Sequence, residues 1–285
     1  MKHTEIKNIF EKRFEKINTA FDKVRMHLHE EDIRVFRVKV KKLAACLRLI
    51  NGTDKQHDQI KVPRKIEKAF KISGDLRILQ MQQNRIQKAL DGNQIASPES
   101  YLKEIAEKIL HQTALLNDYV KGPMPLKKAG EKILKSLPEN IEQKNVHQFI
   151  RSEGDRLANL LTQVFPTDKS LHEVRKLLKS LLYISPYTEM ELSDLFPFTL
   201  LSSYDYVDTF TTILGSFHDL EIEIDFMHTA CQKIGFDENE KAALRSMETL
   251  WISEREDTRT KIYDEIKKII ASGRTVETGV EWLVM

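Results

Sequence analysis

Residues 171–183 read LHEVRKLLKSLLY, a pattern in which apolar and basic residues recur at helical spacing. The leucines and the valine return every three or four positions and therefore lie along one side of a helix. His172, Arg175 and Lys179 fall within a narrow stripe on the other side. The pattern predicts a helix that packs through one face and presents a row of cations on the other.

The same basic spacing occurs earlier in the chain, at Arg34, Arg37 and Lys41. Apolar residues again lie opposite this row, from Phe36 to Ile50. Cations gathered in a row repel one another unless an anion lies among them. Two such rows predict a ligand that carries several negative charges.

The two halves of the chain resemble each other beyond these rows. Aligning Arg37 with Arg175 also aligns Lys41 with Lys179. With a loop insertion, SGDLRI at residues 73–78 then matches FHDLEI at residues 217–222. We interpret this similarity as an internal duplication with pseudo-two-fold symmetry, which would place both rows around a common axis.

Helical periodicity covers almost the whole chain, and sustained β alternation is absent. The predicted helices span residues 4–29, 31–51, 63–91, 98–120, 140–165, 169–185, 198–234 and 238–271. We predict an all-α fold of two four-helix bundles, related by a pseudo-two-fold axis around a basic central cavity. The predicted parts are a first half at 1–122, a linker with a short helix at 123–138, a second half at 139–272 and a tail at 273–285.

Charge is distributed unevenly along the 285 residues, although the formal net charge is only +2. Residues 34–48 contain six Lys or Arg and no acid, whereas residues 189–265 contain eighteen acids and six bases. The small net charge argues against a generic polyanion binder. The local surplus instead predicts that an anion binds at one surface.

Cysteine usage and hydropathy indicate the compartment. Cys46 and Cys231 are too few for a disulfide framework, and their apolar periodic surroundings predict buried free thiols in a reducing compartment. The first residues lead into an amphipathic segment without an apolar signal core, and no stretch approaches 18 uncharged apolar residues. We therefore expect a soluble cytoplasmic protein that has no membrane partner.

Residues 171–183 resemble the second signature of the CHAD family, the conserved histidine α-helical domain, which reads L-H-x-x-R-K-x-x-K-x-x-R-Y. LGSFHDL at residues 214–220 is similar to the later L-G-x-x-x-D element of that family, and residues 34–44 resemble its first signature, H-x-x-R-V-x-x-R-R-L-R. Arg34 replaces the first histidine, and Ala44 and Leu182 replace two arginines. The loss of these two arginines predicts weaker binding than in relatives, or a shorter anion.

The resemblance implies two four-helix bundles about a pseudo-two-fold axis, with a basic central surface that binds inorganic polyphosphate and performs no catalysis. We expect polyphosphate, or phosphate and sulfate ions, as the ligand, no cofactor and no metal, and a location in the cytoplasm at polyphosphate granules. The predicted binding residues are Arg34, Arg37, Lys41, Lys42, Arg48, Arg77, His172, Arg175, Lys176, Lys179 and Tyr183.

A metal-dependent HD-type phosphohydrolase is the main alternative. His218 and Asp219 form a His-Asp pair, and His172, His147 and Asp225 could supply further ligands. A cavity rich in arginine and lysine would compete with a divalent metal electrostatically, so this alternative is disfavoured. We interpret His218 as a packing or hydrogen-bonding residue.

Two further alternatives remain. Nucleic acid could bind the basic surface, but the acidic carboxy-terminal half and the lack of an aromatic platform near the row disfavour it. A helical protein-interaction scaffold would carry the basic surfaces without a ligand. A second cationic run, at Lys61, Arg64, Lys65, Lys68 and Lys71, fits a solvated face better than a site.

Overall fold

The computed structural model describes residues 1–54, 59–92, 95–120, 126–188, 190–196, 198–233 and 235–273. Its helices are α1 (His3–His27), α2 (Glu30–Thr53), α3 (Arg64–Gly92), α4 (Glu99–Val120), α5 (Leu126–Leu134), α6 (Gln143–Leu161), α7 (Asp168–Ile184), α8 (Leu192–Leu195), α9 (Tyr204–Cys231) and α10 (Glu238–Ala271). Two 3₁₀ turns lie at Ser185–Tyr187 and Thr199–Ser202. Within the described ranges, β pairing is limited to two isolated bridges. The predicted all-α class is confirmed.

The largest boundary difference lies ahead of α9, where the predicted helix began at residue 198. Phe198 instead forms an isolated bridge with Gly273, and a 3₁₀ turn follows it. Ser203 has an extended backbone, and its hydroxyl accepts a hydrogen bond from the Tyr206 N–H at 3.3 Å. A serine in this position is a helix N-cap, so α9 begins at Tyr204.

Two regions named in the sequence-based prediction lie outside the described residues. They are the Gly122–Pro125 part of the predicted linker and the tail beyond Gly273. The short helix predicted within that linker corresponds to α5. No helix in the described part of the chain combines the length and the apolar character that a membrane crossing requires.

The chain forms two compact units. Unit 1 comprises Met1–Val146 and Asp219–Arg255, and unit 2 comprises His147–His218 and Glu256–Met285. Each of α9 and α10 therefore contributes residues to both units. The predicted division at residues 122 and 139, and the pseudo-two-fold axis, remain predictions.

In unit 1, α1 packs on α2 and α3 packs on α4. The Phe21 and Phe36 ring centroids lie 5.3 Å apart between α1 and α2, and both rings are almost fully buried. Burial of such a side chain contributes about 1.5–3 kcal/mol. A second apolar cluster surrounds Trp251, and the Glu240 carboxylate next to it accepts the backbone N–H of Tyr101 at 2.9 Å. That bond satisfies an otherwise unpaired donor in the first turn of α4.

In unit 2, the apolar face of α7 is buried from Leu171 to Ile184, as predicted. The Thr167 hydroxyl caps this helix by accepting the Ser170 N–H at 3.2 Å. Arg259 of α10 donates to both carboxylate oxygens of Asp168 at 2.8 and 3.1 Å. These contacts fix the start of α7, and with it the basic row of that helix.

Candidate polyanion-binding site

Helix α2 carries the first basic row on its less buried side. Phe36, Val40 and Leu43 are buried on the opposite side, so the helix packs through the predicted face. Arg34 and Lys41 are exposed, whereas Arg37 is half-buried. In this row, the half-buried Arg37 therefore stands between two exposed cations.

Arg37 lies directly against helix α3. Its Nη1 donates to the Phe70 carbonyl oxygen at 2.5 Å, and its guanidinium carbon is 4.1 Å from the centroid of the Phe70 ring. A Cβ atom placed on Gly74 would be 2.5 Å from the same Nη1, so the guanidinium occupies the space that any other residue would fill. Burial, and then the nearby charge of Arg77, lower the pKa of Arg37 to about 10, while Asp75 acts in the opposite direction.

Two other predicted arginines in unit 1 are paired with carboxylates. Arg34 forms a two-bond ion pair with Glu31, at 2.6 Å from Nε and 2.7 Å from Nη2. This pair raises the pKa of Arg34 and lowers that of Glu31. Arg77 Nη1 lies 3.2 Å from a carboxylate oxygen of Glu30. We name Arg34, Arg37 and Arg77 the Arg37 cluster.

The remaining predicted residues of α2 occupy different depths. Lys41 is exposed, and Lys42 and Arg48 are half-buried. Ala44, at the position of an expected arginine, is exposed. A basic side chain at position 44 would thus have stood in solvent.

Helix α7 repeats the central contact of α2 within unit 2. The half-buried Arg175 lies against Gly215 of α9, where a placed Cβ atom would be 3.1 Å from Nε and 3.2 Å from Nη2. The Nε atom is buried and has no hydrogen-bond partner among the described residues. A guanidinium N–H that has lost water without gaining an acceptor is unfavourable, and an incoming anion would supply that acceptor.

His172 and His218 are in ring contact, with centroids 4.1 Å apart. Burial, and then the charges of His218, Lys176 and Arg175, lower the pKa of His172 to about 4. Its ring is therefore neutral near pH 7, and its buried Nδ1 has no hydrogen-bond partner in the described chain. We name His172, Arg175 and His218 the Arg175 cluster.

Carboxylates also pair with two lysines of α7. Lys179 Nζ lies 2.7 Å from Asp208, and Lys176 Nζ lies 2.6 Å from Glu173. Arg156 contacts the same Glu173 at 2.9 Å. Both lysines are among the predicted binding residues, but an anion must compete with their intramolecular partners.

The end of α7 contains a hydroxyl and the second missing arginine. Tyr183 is half-buried, and burial raises the pKa of its phenol, while the charge of Arg175 lowers it. Leu182, at the position of the expected arginine, is only 5% exposed. Position 182 therefore faces the core of unit 2, and leucine contributes to packing there.

The two arginine-on-glycine contacts match Gly74 with Gly215. The sequence alignment had matched Gly74 with His218 instead, three residues further on. With the match from the contacts, Arg77 corresponds to His218. Sequence reasoning did not identify either glycine as part of the site. The signal was present, because a glycine inside a helix costs about 1 kcal/mol relative to alanine and often marks a close approach.

The described residues contain no group of three or more His, Cys, Asp and Glu side chains that could hold a metal ion. His172 and His218 do meet, but in ring contact, and the charges that act on His172 are those of Arg175 and Lys176 as well as Glu173. Cys46 is a buried free thiol, as expected, and Cys231 is a half-buried one. No observation in the described part of the chain favours the HD-type alternative.

Comparison with known proteins gives one family and two similar structures. A model of the CHAD domain matches residues 8–228. The crystal structure of the CHAD domain from the plant Ricinus communis superposes with a TM-score of 0.72 at 13% identity, covering 95% of this chain and 92% of that one. PptA from Streptomyces chartreusis superposes with a TM-score of 0.66 at 12% identity, covering 94% of this chain and 99% of that one. Among curated protein sequences, none matches this chain.

Proposed function

The chain belongs to the CHAD domain family, and from this premise we propose that it binds inorganic polyphosphate or a similar polyphosphorylated anion without catalysis. The observation that carries the proposal is the state of Arg37 and Arg175. Both are half-buried against a helix glycine, and neither forms an ion pair with a carboxylate of the described residues. A partly desolvated cation without an ion-paired carboxylate is unfavourable, and an anion that binds there removes the penalty.

The ligand chemistry fits a chain of phosphates. Polyphosphate has about one negative charge per phosphate and no bases, so affinity depends on charge-assisted hydrogen bonds and counterion release. The arginine fork binds two oxygens at once, and lysine acts as a mobile point charge. Arg34, Arg77, Lys176 and Lys179 are close enough to extend each row, once their carboxylate partners are displaced.

The proposal keeps the expectation that both rows serve one ligand about a pseudo-two-fold axis. It also keeps the expectation of a cytoplasmic protein that is recruited to polyphosphate deposits. A double-mutant cycle of Arg37→Ala and Arg175→Ala tests the shared ligand. If one short polyphosphate spans both residues, the two losses of binding affinity will be non-additive. Strictly additive losses would indicate that the two rows do not share one ligand.

The first experiment is calorimetric titration of long-chain polyphosphate at several salt concentrations. We expect the logarithm of the binding constant to fall linearly with the logarithm of the salt concentration, with a slope set by the number of phosphates neutralised. The variant Arg37→Ala/Lys41→Ala/Arg175→Ala/Lys179→Ala should lose roughly 100-fold or more in affinity, because each charged hydrogen bond contributes about 1.5–3 kcal/mol.

A charge-matched control variant distinguishes the loss of this site from a change in the net charge of the protein. Lys12, Lys16, Lys23 and Arg151 are exposed cations outside the two rows, and their fourfold alanine variant should bind almost as the wild type does. Circular dichroism should show unchanged helicity in both variants. No heat from the wild type, or equal affinity for unrelated nucleic acid, would contradict the proposal.

A further inference from the structure

We propose that the basic run at the start of α3 is a second anion-binding surface, which takes the part of a long polyphosphate chain that extends beyond Arg37. The inference rests on the proposed function and adds a determinant of chain length to it. The surface, named the α3 run, consists of Lys61, Arg64, Lys65, Lys68 and Lys71.

Four members of the α3 run lie in the first turns of α3, and Lys61 precedes the helix. Arg64, Lys68 and Lys71 stand at positions i, i+4 and i+7, which places them in line along the helix. All five side chains of the run are exposed. The helix thus presents a line of cations to solvent, with Glu67 as the acid of its first turn.

The α3 run gathers, within eleven residues, five cations without a carboxylate partner in the described part of the chain. Some exposed lysines elsewhere pair with an acid one turn away, as Lys176 does with Glu173 and Lys268 with Glu265. No carboxylate of the described residues forms an ion pair with any member of the α3 run. Five neighbouring cations without carboxylate partners create a positive potential that an external polyanion would neutralise.

The position of the run in the helix adds to this potential. The amino-terminal end of a helix carries a partial positive charge, so cations in the first turn are unfavourable there. Arg64 and Lys65 open α3, and the helix dipole adds to the repulsion between them. A bound anion would reduce both the repulsion between the two cations and their unfavourable interaction with the helix dipole.

Helix α4 fixes the α3 run in place. The Tyr119 hydroxyl donates to the Lys65 carbonyl oxygen at 2.9 Å, and Lys68 Nζ lies 5.2 Å from the centroid of the Tyr119 ring. Burial against this surface raises the pKa of the Tyr119 phenol. The Lys68 ammonium therefore already occupies one face of this ring, where a base would otherwise stack. This arrangement favours polyphosphate over single-stranded nucleic acid.

The α3 run leads directly to Arg37. The guanidinium of Arg37 contacts α3 at the Phe70 carbonyl oxygen and at Gly74, on either side of Lys71. At a rise of 1.5 Å per residue, the distance along α3 from Arg64 to Gly74 is about 15 Å. An extended anion that reaches Arg37 can therefore continue along the helix toward Arg64.

The test compares two ligands and two charge-matched variants. The first variant is Arg64→Gln/Lys65→Gln/Lys68→Gln/Lys71→Gln. The control is Lys12→Gln/Lys16→Gln/Lys23→Gln/Lys103→Gln, which removes four exposed cations elsewhere in unit 1. Glutamine is a good helix former, so both variants should fold, which circular dichroism checks. Each protein is titrated with tripolyphosphate and with long-chain polyphosphate.

We expect the α3 variant to lose roughly 10-fold in affinity for long-chain polyphosphate and less than about 2-fold for tripolyphosphate, with a salt slope that falls by about 2–3. The control should match the wild type. Equal losses for both ligands, an equal loss in the control, or no loss would overturn the inference. A loss of the same size for single-stranded DNA would overturn polyphosphate as its occupant. If the wild type binds neither phosphate ligand, the proposed function itself fails.

Discussion

The Arg37 cluster and the Arg175 cluster share one packing arrangement but differ in the groups around the guanidinium. In the Arg37 cluster, Nη1 already donates to the Phe70 carbonyl oxygen, and Glu30 and Glu31 pair with the neighbouring arginines. In the Arg175 cluster, a buried Nε has no partner among the described residues, and two histidine rings replace the arginines.

This difference shows how one packing arrangement can have either fixed charges or a charge that changes with pH. Around Arg37 the charges are fixed, because its pKa of about 10 and the lowered pKa of Glu31 both lie outside the range from about pH 5 to 8. Around Arg175, His172 can change its charge when an anion arrives. We expect the Arg37 cluster to supply constant affinity, and the Arg175 cluster to supply the larger share and the pH dependence.

Single arginine substitutions should give the largest effects. We expect Arg175→Ala to weaken polyphosphate binding roughly 30-fold and Arg37→Ala roughly 10-fold, because the unpartnered Nε of Arg175 gains a full charge-assisted bond on binding. Titration calorimetry measures both. Lysine at either position should recover only part of the affinity, since it lacks the planar fork. A larger loss of affinity for Arg37→Ala than for Arg175→Ala would contradict the expectation that the Arg175 cluster supplies the larger share.

Alanine substitutions at Gly74 and Gly215 should lower the affinity for polyphosphate to different degrees in the two clusters. Gly74→Ala places a methyl group 2.5 Å from Arg37 Nη1, the mobile end of the side chain, so the guanidinium should move away and affinity should fall roughly 5-fold. At Gly215 the methyl group would meet Nε and Nη2 of Arg175 at 3.1 and 3.2 Å, which a smaller shift relieves. We expect a loss of only about 2-fold there.

Neither glycine substitution should unfold the protein. Alanine in place of a glycine inside a helix stabilises by about 0.5–1 kcal/mol, which offsets the displaced arginine. Urea unfolding followed by circular dichroism checks this point. Gly92→Ala at the end of α3, where no atom lies within 4 Å of the added methyl group, controls for a glycine-to-alanine change that meets no neighbouring side chain. Equal losses of affinity at positions 74 and 215 would mean that the guanidiniums do not depend on these close contacts.

The sequence predicted the all-α class and the basic rows, because helical periodicity and residue spacing are local properties of the chain. The start of α9 was predicted too early, since apolar periodicity continues through Phe198 while a bridge to Gly273 and the Ser203 cap set the real boundary. The neutral state of His172 was also beyond local reasoning. It depends on burial and on His218, which the register between α7 and α9 brings into contact.

The smallest predicted effect is a pH dependence of the affinity for polyphosphate, which arises in the Arg175 cluster alone. The free protein holds the pKa of His172 at about 4, whereas a bound polyanion favours the protonated ring and raises that pKa. The complex then binds more protons than the free protein, so affinity must increase as pH falls. We expect roughly a 3-fold rise in the affinity of the wild type between about pH 7.5 and 5.5, beyond that of His172→Gln. His111→Gln, which removes an exposed histidine of α4, should retain the rise.

The same residue should act in the opposite direction on the stability of the unliganded fold. An unfolded histidine has a pKa near 6.5, above the value of about 4 that the folded protein imposes on His172. The unfolded chain therefore takes up the proton first, and the free energy of unfolding should fall as pH decreases from 6.5 toward 4. Urea unfolding at pH 7 and pH 5 should show this loss in the wild type and a smaller one in His172→Gln. Equal pH slopes in the two proteins, for both stability and affinity, would show that His172 is not the pH-sensitive group.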